Sequence, residues 1–223
     1  MKIDRHLLYI ASREVENAVI KQTRLWVPRR EEVAAAGRLP QFATTQPTMV
    51  GAYYDICFRG QAVPEQQGYV DFFFLCHEAE VDQITRAEAE AMKARCARAY
   101  NTFLIEHQLF ALCVESGEFD ACYKSEHLDT SSSVDLAVRL GPSHYGFAIQ
   151  LQTRNAREWI GIKRQRQERR CSTFPWPITD LDIEFDKMKW VAGIHIFTQQ
   201  YGANLVSQRL RQLRLDDWSL VHA

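Results

Sequence analysis

The spacing of apolar residues predicts a helix near each end of the chain and a third in the middle. Residues 4–22 and residues 203–215 carry apolar side chains at intervals of three and four, which is typical of an amphipathic helix. Residues 85–107 are rich in strong helix formers. This segment opens with Thr85 and Glu88, a pair spaced as in a capping box, so we predict that the central helix begins there.

Aromatic and β-branched residues indicate extended segments between these helices. In the N-terminal third, "MVGAYYDICFRG" (49–60) and "GYVDFFFLCHE" (68–78) flank the turn-like "QAVPEQQ", which predicts an antiparallel hairpin. After the central helix, further extended segments are predicted at residues 109–115, 119–126, 134–154, 178–187 and 190–200. This order of elements predicts an α/β fold, with a mixed β-sheet flanked by helices.

One predicted hairpin, "VDLAVRLGPSHYGFAIQLQTR" (134–154), carries polar residues at regular positions. Side chains alternate between the two faces of a strand, so Asp135 lies on the other face of its strand from its apolar neighbours. Gln150 and Gln152 lie in the same way on the second strand. A four-residue turn at "GPSH" would place Asp135 directly across from Gln150. The pattern fits two interpretations: a chemical site, or an amphipathic strand pair with its polar face toward water.

Residues 84–198 resemble the core of the PD-(D/E)XK nuclease superfamily, which consists of a helix, a strand, an acid-bearing hairpin and another helix. "VDLAV" supplies the first acid as Asp135, and "IQLQ" occupies the position of the second motif. The resemblance implies a restriction-endonuclease-like core in a single domain spanning residues 1–223. Residues 1–83 would then form an N-terminal helix-and-hairpin elaboration, and residues 199–223 a C-terminal helix.

The resemblance also implies a metal site. In this family, acids and a backbone carbonyl hold Mg²⁺, which Mn²⁺ can replace, and the ion activates a water for attack on a phosphodiester. Asp135 would be the principal ligand and Gln150 a supporting one. The preceding helix would supply a glutamate, for which Glu90 is our choice. The other candidates for that ligand are Glu88 and Glu106.

The chain departs from the family pattern in two places. Gln150 stands where a second acid is expected, and Gln152 stands where a lysine is expected. We expect Gln152, Arg154 or Lys163 to assist the attacking water. The implied function is a metal-dependent endonuclease acting on DNA. The alternative is a catalytically inactive nuclease-like module that binds nucleic acid or a protein partner.

A basic stretch, "NAREWIGIKRQRQERR" (155–170), follows the hairpin and is predicted to be helical. Arg154, Arg157, Arg166 and Arg170 are the candidate phosphate contacts, since each could neutralise one backbone charge. A solvated helix face without a partner is the other interpretation of such a run.

Four acidic residues alternate along the predicted strand that follows: Asp180, Asp182, Glu184 and Asp186. They would protect a sheet edge, or they would pair with the basic helix within the fold or across a homodimer. A homodimer or a larger nucleoprotein complex is therefore among the expected assemblies.

The overall charge gives no sign of a polyanion partner, because 27 basic residues are balanced by 28 acidic ones. Any nucleic-acid binding has to come from a local patch. No segment has the roughly 18 to 20 apolar residues of a membrane span, and the charged N-terminal segment does not resemble a secretion signal. We therefore expect a soluble cytoplasmic protein, with its six widely spaced cysteines as reduced thiols and no membrane partner.

Overall fold

The structure is a computed structural model of the chain that describes residues 5–22, 25–29, 31–32, 47–151, 175–176 and 178–221. Its helices are α1 (Ser12–Lys21), α2 (Met49–Gly60), α3 (Gln66–Cys76), α4 (Glu78–Val81), α5 (Arg86–Ser116), α6 (Glu126–Ser132) and α7 (Gln199–Val221). Its strands are β1 (Ala121–Tyr123), β2 (Leu136–Leu140), β3 (Ser143–Leu151), β4 (Ile178–Ile183), β5 (Lys189–Val191) and β6 (Ile194–Ile196). The first four strands form one sheet in the order β1-β2-β3-β4, and β5 pairs with β6. The predicted architecture, a mixed sheet flanked by helices, is confirmed.

The central helix α5 begins as predicted and continues further than predicted. The Thr85 hydroxyl accepts a hydrogen bond from the Glu88 amide, and the Glu88 carboxylate accepts one from the Thr85 amide, which completes a capping box. The helix ends at Gly117, whose positive φ of 65° suits glycine. The prediction of an extended segment at residues 109–115 is therefore wrong. Those residues are mostly buried, and a helix that is apolar on all sides shows no amphipathic period.

The predicted N-terminal hairpin is also wrong, because residues 49–60 and 66–76 form the helices α2 and α3. Thr48 caps α2 by accepting a hydrogen bond from the Gly51 amide. Of the aromatic side chains that suggested strands, Tyr54 and Tyr69 pack against Tyr53 in a helical core. Tyr100 and Phe103 of α5 complete this packing. Runs of eleven or twelve residues are longer than most strands, and this length favours the helical interpretation.

The first predicted helix is shorter than expected. Residues 5–11 precede α1, and they run beside the segment that follows β1. His6 forms an isolated antiparallel bridge with Ser125, and the Leu7 amide donates to the Lys124 carbonyl at 3.0 Å. The N-terminal segment thus lies directly beside the end of β1.

The hairpin predicted from residue 134 onward is confirmed as β2 and β3, but its turn is shorter than predicted. Leu140 pairs with Ser143, so residues 141–142 alone form the turn, and Gly141 has a positive φ of 61°. Leu136 lies opposite Phe147, two positions from the predicted register. A shift of two residues leaves every side chain on its predicted face, whereas a shift of one would have reversed them all.

The last strands form the other edge of the sheet and a small hairpin. β4 lies parallel to β3 and buries Leu181 and Ile183, while Asp182 is exposed on this edge strand. The acidic alternation ends at a 3₁₀ turn, Phe185–Lys187. The segment predicted as one strand at residues 190–200 is a hairpin of β5 and β6, followed by α7. The predicted C-terminal helix is confirmed.

A continuous hydrophobic core joins α5 to the sheet and to the surrounding helices, from Leu7 to Leu210. Within the part of the chain that the structure describes, every helix is too short or too polar to span a bilayer. The described cysteines are free thiols: Cys57, Cys76, Cys96, Cys113 and Cys122.

The close contact between α2 and α6 leads to a stability prediction. A Cβ atom at Gly51 would overlap the carboxylate of Glu126, which is buried and hydrogen-bonded to Thr48. We expect Gly51→Ala to lower the free energy of unfolding by about 1–3 kcal/mol, as other overpacked sites do. Urea-induced unfolding followed by circular dichroism measures this change.

Gly68→Ala is the matched control, since Gly68 also lies in a helix and has open space around it. That substitution should raise stability by about 0.5–1 kcal/mol, because alanine loses less backbone entropy than glycine. Equal effects of the two substitutions would contradict the predicted overlap.

Candidate metal centre

The candidate site lies at one end of the four-stranded sheet. Because β2 is antiparallel to both of its neighbours, its first residues lie beside the last residues of β1 and beside Phe147 in the second half of β3. Lys124 directly follows β1, and Asp135 directly precedes β2. Helix α6, which connects these strands, carries Asp129, and helix α5, which packs on β1, carries Glu106.

Three carboxylates converge at this point. One oxygen from each of Glu106, Asp129 and Asp135 lies within 4.8 Å of the others. Oxygens that share one cation at ligand distances of about 2.0–2.6 Å lie at most about 4–5 Å apart, so the arrangement suits a single hard divalent ion. Glu106 is buried, and Asp129 and Asp135 are partly buried.

A buried lysine contacts two of these residues. Lys124 Nζ donates to Glu106 Oε2 at 2.6 Å and to the backbone oxygen of Asp135 at 2.7 Å, and its side chain is 1% exposed. Burial alone would lower the pKa of Lys124, but the negative charges of Glu106, Asp129 and Asp135 raise it above its ordinary value. The lysine is therefore a permanent cation facing three carboxylates.

Asp135 shows the combined effect of burial and of the neighbouring carboxylates. Burial raises its pKa well above the ordinary range, and the charges of Glu106 and Asp129 raise it further. Lys124 and a hydrogen bond from the Ile149 amide to Asp135 Oδ2, at 2.6 Å, oppose this shift. The cluster thus favours the addition of positive charge, either a proton or a metal ion.

Tyr54 of α2 adds a polar atom to this site. Its side chain is 1% exposed, and its hydroxyl has no hydrogen-bond partner among the described residues. The charged groups that act on the hydroxyl are Lys124, Asp129, Glu106 and Asp135. Burial raises the pKa of Tyr54 well above its ordinary value, so the hydroxyl stays protonated and is a hydrogen-bond donor.

A second group of polar contacts fixes the elements around the site. Arg5 donates to Asp55 of α2 at 2.8 Å and to Glu126 of α6 at 2.9 Å. Glu126 also accepts hydrogen bonds from the Thr48 amide at 3.1 Å and the Thr48 hydroxyl at 2.6 Å. A carboxylate at the N-terminus of α2 is favourable for the helix dipole. These bonds hold the N-terminal segment, α2 and α6 together beside the three carboxylates.

His107, the neighbour of Glu106, has a structural role in the same region. The Leu8 carbonyl can only accept a hydrogen bond, so His107 Nε2 carries the proton and donates to it at 3.1 Å. His107 Nδ1 therefore accepts a hydrogen bond from the Tyr53 hydroxyl at 3.0 Å. Burial lowers the pKa of His107 to about 3, which keeps the ring neutral at physiological pH. With both nitrogens bonded to protein atoms, His107 anchors α5 to the N-terminal segment.

The structure brings two sequence-proposed residues together, Asp135 and Glu106. Glu90, our choice for the helix ligand, is exposed and pairs with Lys93 at 2.9 Å. It lies about 24 Å along α5 from Glu106, at a rise of about 1.5 Å per residue, so it is distant from Asp135. The third candidate, Glu88, belongs to the capping box.

Among the remaining proposed residues, only Gln150 lies in the described part of the chain. The backbone of Gln150 pairs with Asp182 of β4, two positions beyond the residue that the observed register places across from Asp135. The remaining proposed residues lie outside the described part of the chain: Gln152, Arg154, Arg157, Lys163, Arg166 and Arg170.

Lys124, Asp129 and Tyr54 were not identified from the sequence. Lys124 lies in the predicted strand "FDACYKSE". In the structure, this strand pairs with the strand that follows Asp135. Asp129 lies in a short helix whose start is marked by Ser125, which accepts a hydrogen bond from the Leu128 amide. Tyr54 had no such signal, since its segment was predicted to be a strand.

Comparisons of this chain with protein-family models, with curated proteins and with solved structures found no match. The assignment of the site therefore depends on its geometry and electrostatics.

The buried lysine gives a testable prediction. Lys124→Met leaves Glu106 buried without its cation, and breaking a buried ion pair in this way costs about 3–5 kcal/mol of stability. Urea unfolding at pH 8 without divalent ions should show that loss. Adding Glu106→Gln should restore much of it, since the uncompensated charge is then removed.

Lys93→Met is the control for this measurement, because Lys93 forms an exposed ion pair on the same helix. It should change stability by no more than about 1 kcal/mol. If Lys124→Met has an effect as small as this control, Lys124 is not the cation on which the cluster depends.

The raised pKa of Asp135 predicts how pH acts on the site. The folded state holds this proton more tightly than the unfolded state, so Asp135 contributes stability at low pH and loses it as pH rises through its folded pKa. Mg²⁺ binds the ionised carboxylates and competes with the proton. The Mg²⁺-induced rise in melting temperature should therefore be larger at pH 8 than at pH 5.5, and calorimetry in each buffer measures it. An equal rise at both pH values, or no rise, would contradict binding at this cluster.

Proposed function

We propose that this protein is a Mg²⁺-dependent nucleic-acid phosphodiesterase that acts as a DNA endonuclease. The observation that carries the proposal is the convergence of Glu106, Asp129 and Asp135, with Lys124 beside them, at the end of a mixed sheet. Carboxylate oxygens are the ligands that Mg²⁺ prefers, and such sites hold the ion against substrate phosphates.

The order of elements supports a restriction-endonuclease-like core. Helix α5 is followed by β1, the short helix α6 and the β2–β3 hairpin, with Asp135 directly before β2. Apart from α6, this is the helix, strand and acid-bearing hairpin that the resemblance to the PD-(D/E)XK nucleases leads us to expect. Glu106 takes the role of the glutamate from the preceding helix.

Lys124 is the candidate replacement for the lysine that the family pattern has and this chain lacks. The family pattern places that lysine on the second strand of the hairpin, where this chain has Gln152. Lys124 reaches the same end of the sheet from β1, and its Nζ contacts both Glu106 and the backbone of Asp135. We infer that it takes over the positive charge of the missing residue.

The roles of the residues follow from their positions. Asp135, Asp129 and Glu106 would hold the ion, and Lys124 would orient Glu106 and limit repulsion among the carboxylates. The combined negative charge of Glu106, Asp129 and Asp135 attracts a divalent cation. When bound, Mg²⁺ would supply charge stabilisation for the phosphate and a lowered pKa for a bound water.

A nuclease-like module without catalytic activity is the second candidate function. The burial of Lys124 favours it, because both of its hydrogen bonds are to protein oxygens rather than toward an open surface. Such a module would use the same region to bind nucleic acid or a protein partner.

A cleavage assay separates these two functions. The purified protein is incubated with supercoiled plasmid, single-stranded DNA and RNA, in Mg²⁺, Mn²⁺ or EDTA. We expect DNA cleavage that requires the metal, and a decrease of about 100-fold or more in Asp135→Asn and Glu106→Gln, equivalent to about 2.7 kcal/mol of transition-state stabilisation.

Glu90→Gln is the matched control, since Glu90 lies on the same helix but is exposed. It should cleave like the parent protein. Cleavage that survives Asp135→Asn would refute the proposal. Salt-sensitive DNA binding without cleavage in either metal would identify the protein as the inactive module.

A further inference from the structure

Four tyrosines are buried in the core around α2 and α5, and three of them have bonded hydroxyls. Tyr53 bonds to His107, Tyr69 donates to the Met49 carbonyl at 3.0 Å, and Tyr100 donates to the Pro64 carbonyl at 2.5 Å. Tyr54 differs, because none of the described residues accepts a hydrogen bond from its hydroxyl. A buried hydroxyl without a partner is unfavourable, so a phenylalanine would fit this position better if packing were its only role.

The surroundings of the Tyr54 hydroxyl indicate what it contacts. The charges that act on it are those of the candidate metal centre: Lys124, Asp129, Glu106 and Asp135. The hydroxyl forms a hydrogen bond with none of these groups. Helix α2, which carries Tyr54, packs against both α5 and α6 and so against the elements that supply Glu106 and Asp129. The hydroxyl is therefore buried beside the elements of the metal centre without a bond to its charged groups.

A buried hydroxyl without a partner beside these carboxylates suits a group that bonds to both. Unsatisfied polar atoms in buried positions commonly mark a site for a water or an ion. A hydroxyl can donate to an oxygen bound on a cation, but it is not placed to bond the carboxylates themselves.

We propose that Tyr54 is a positioning residue of the metal centre, whose hydroxyl donates a hydrogen bond to an oxygen bound on the cation that Glu106, Asp129 and Asp135 hold. That oxygen is a water in the substrate-free protein and a water or phosphate oxygen during cleavage. The inference rests on the proposed function. It adds a donor fixed by burial, which needs no rearrangement when the oxygen gains negative charge.

The test uses Tyr54→Phe in the full chain. This variant removes one hydroxyl that has no described partner and leaves the ring in place. Without divalent ions, its melting temperature should equal or exceed that of the parent protein. Its affinity for Mg²⁺, measured by titration calorimetry, should be about tenfold weaker, as expected for a lost hydrogen bond to a charged site.

Tyr69→Phe is the matched control, since it removes a buried hydroxyl that does have a partner and lies outside the metal centre. It should lower the melting temperature and leave Mg²⁺ affinity unchanged. The two variants are therefore expected to differ both in stability and in metal binding: Tyr54→Phe weakens only Mg²⁺ binding, and Tyr69→Phe lowers only stability.

The pH dependence of cleavage gives a readout that a packing role would not change. A hydrogen bond donated to a metal-bound water stabilises its deprotonated form. In Tyr54→Phe, the acidic limb of the pH–rate profile for DNA cleavage should therefore move to higher pH.

The outcomes separate this inference from the proposed function. If the parent protein binds Mg²⁺ and cleaves DNA, and Tyr54→Phe does so with the same affinity and pH profile, only the role of Tyr54 is refuted. A Tyr54→Phe variant that is less stable without metal would also refute it, because the hydroxyl would then be structural. If the parent protein neither binds Mg²⁺ nor cleaves, both the function and this inference fail.

Discussion

One buried lysine connects parts of the fold that are far apart in the sequence. Lys124 follows β1, and its Nζ bonds to Glu106 of α5 and to the backbone of Asp135 at the start of β2. An ammonium group without partners would cost several kcal/mol to bury, so the folded state requires both contacts. This single group therefore sets the distance between the central helix and the sheet at the point where the carboxylates meet. The candidate site is a consequence of the same interaction.

A second buried charge, Glu126, places the N-terminal part of the chain against that point. It binds Arg5 and the Thr48 cap of α2, and so holds α2 beside α6. Helix α2 carries Tyr54, on whose hydroxyl the charges of the three carboxylates act. Both buried charges, Lys124 and Glu126, thus lie beside the segment that connects β1 and β2. The helices before α5, which the resemblance implied only as an elaboration, supply part of the surroundings of the site.

The sequence predicted the parts of the site that follow a local pattern. Asp135 was identified because it lies on the polar face of an alternating strand, at the position of the family's first acid, and the two-residue error in register did not change its face. Glu106 was ranked below Glu90 because α5 was expected to end near residue 107, and its mostly buried continuation has no helical period. Lys124 and Tyr54 could not be found this way, since their roles come from contacts with residues distant in the sequence.

The position of Glu106 in α5 joins the chemistry of the site to the stability of the core. Its neighbours Ile105 and His107 are buried, and the helix around them is packed on several sides. The carboxylate is carried by a packed helix rather than by a loop, so its position depends on the packing of the core. Evolutionary change in the packing around Leu104 would alter the geometry of the site without touching any of its ligands.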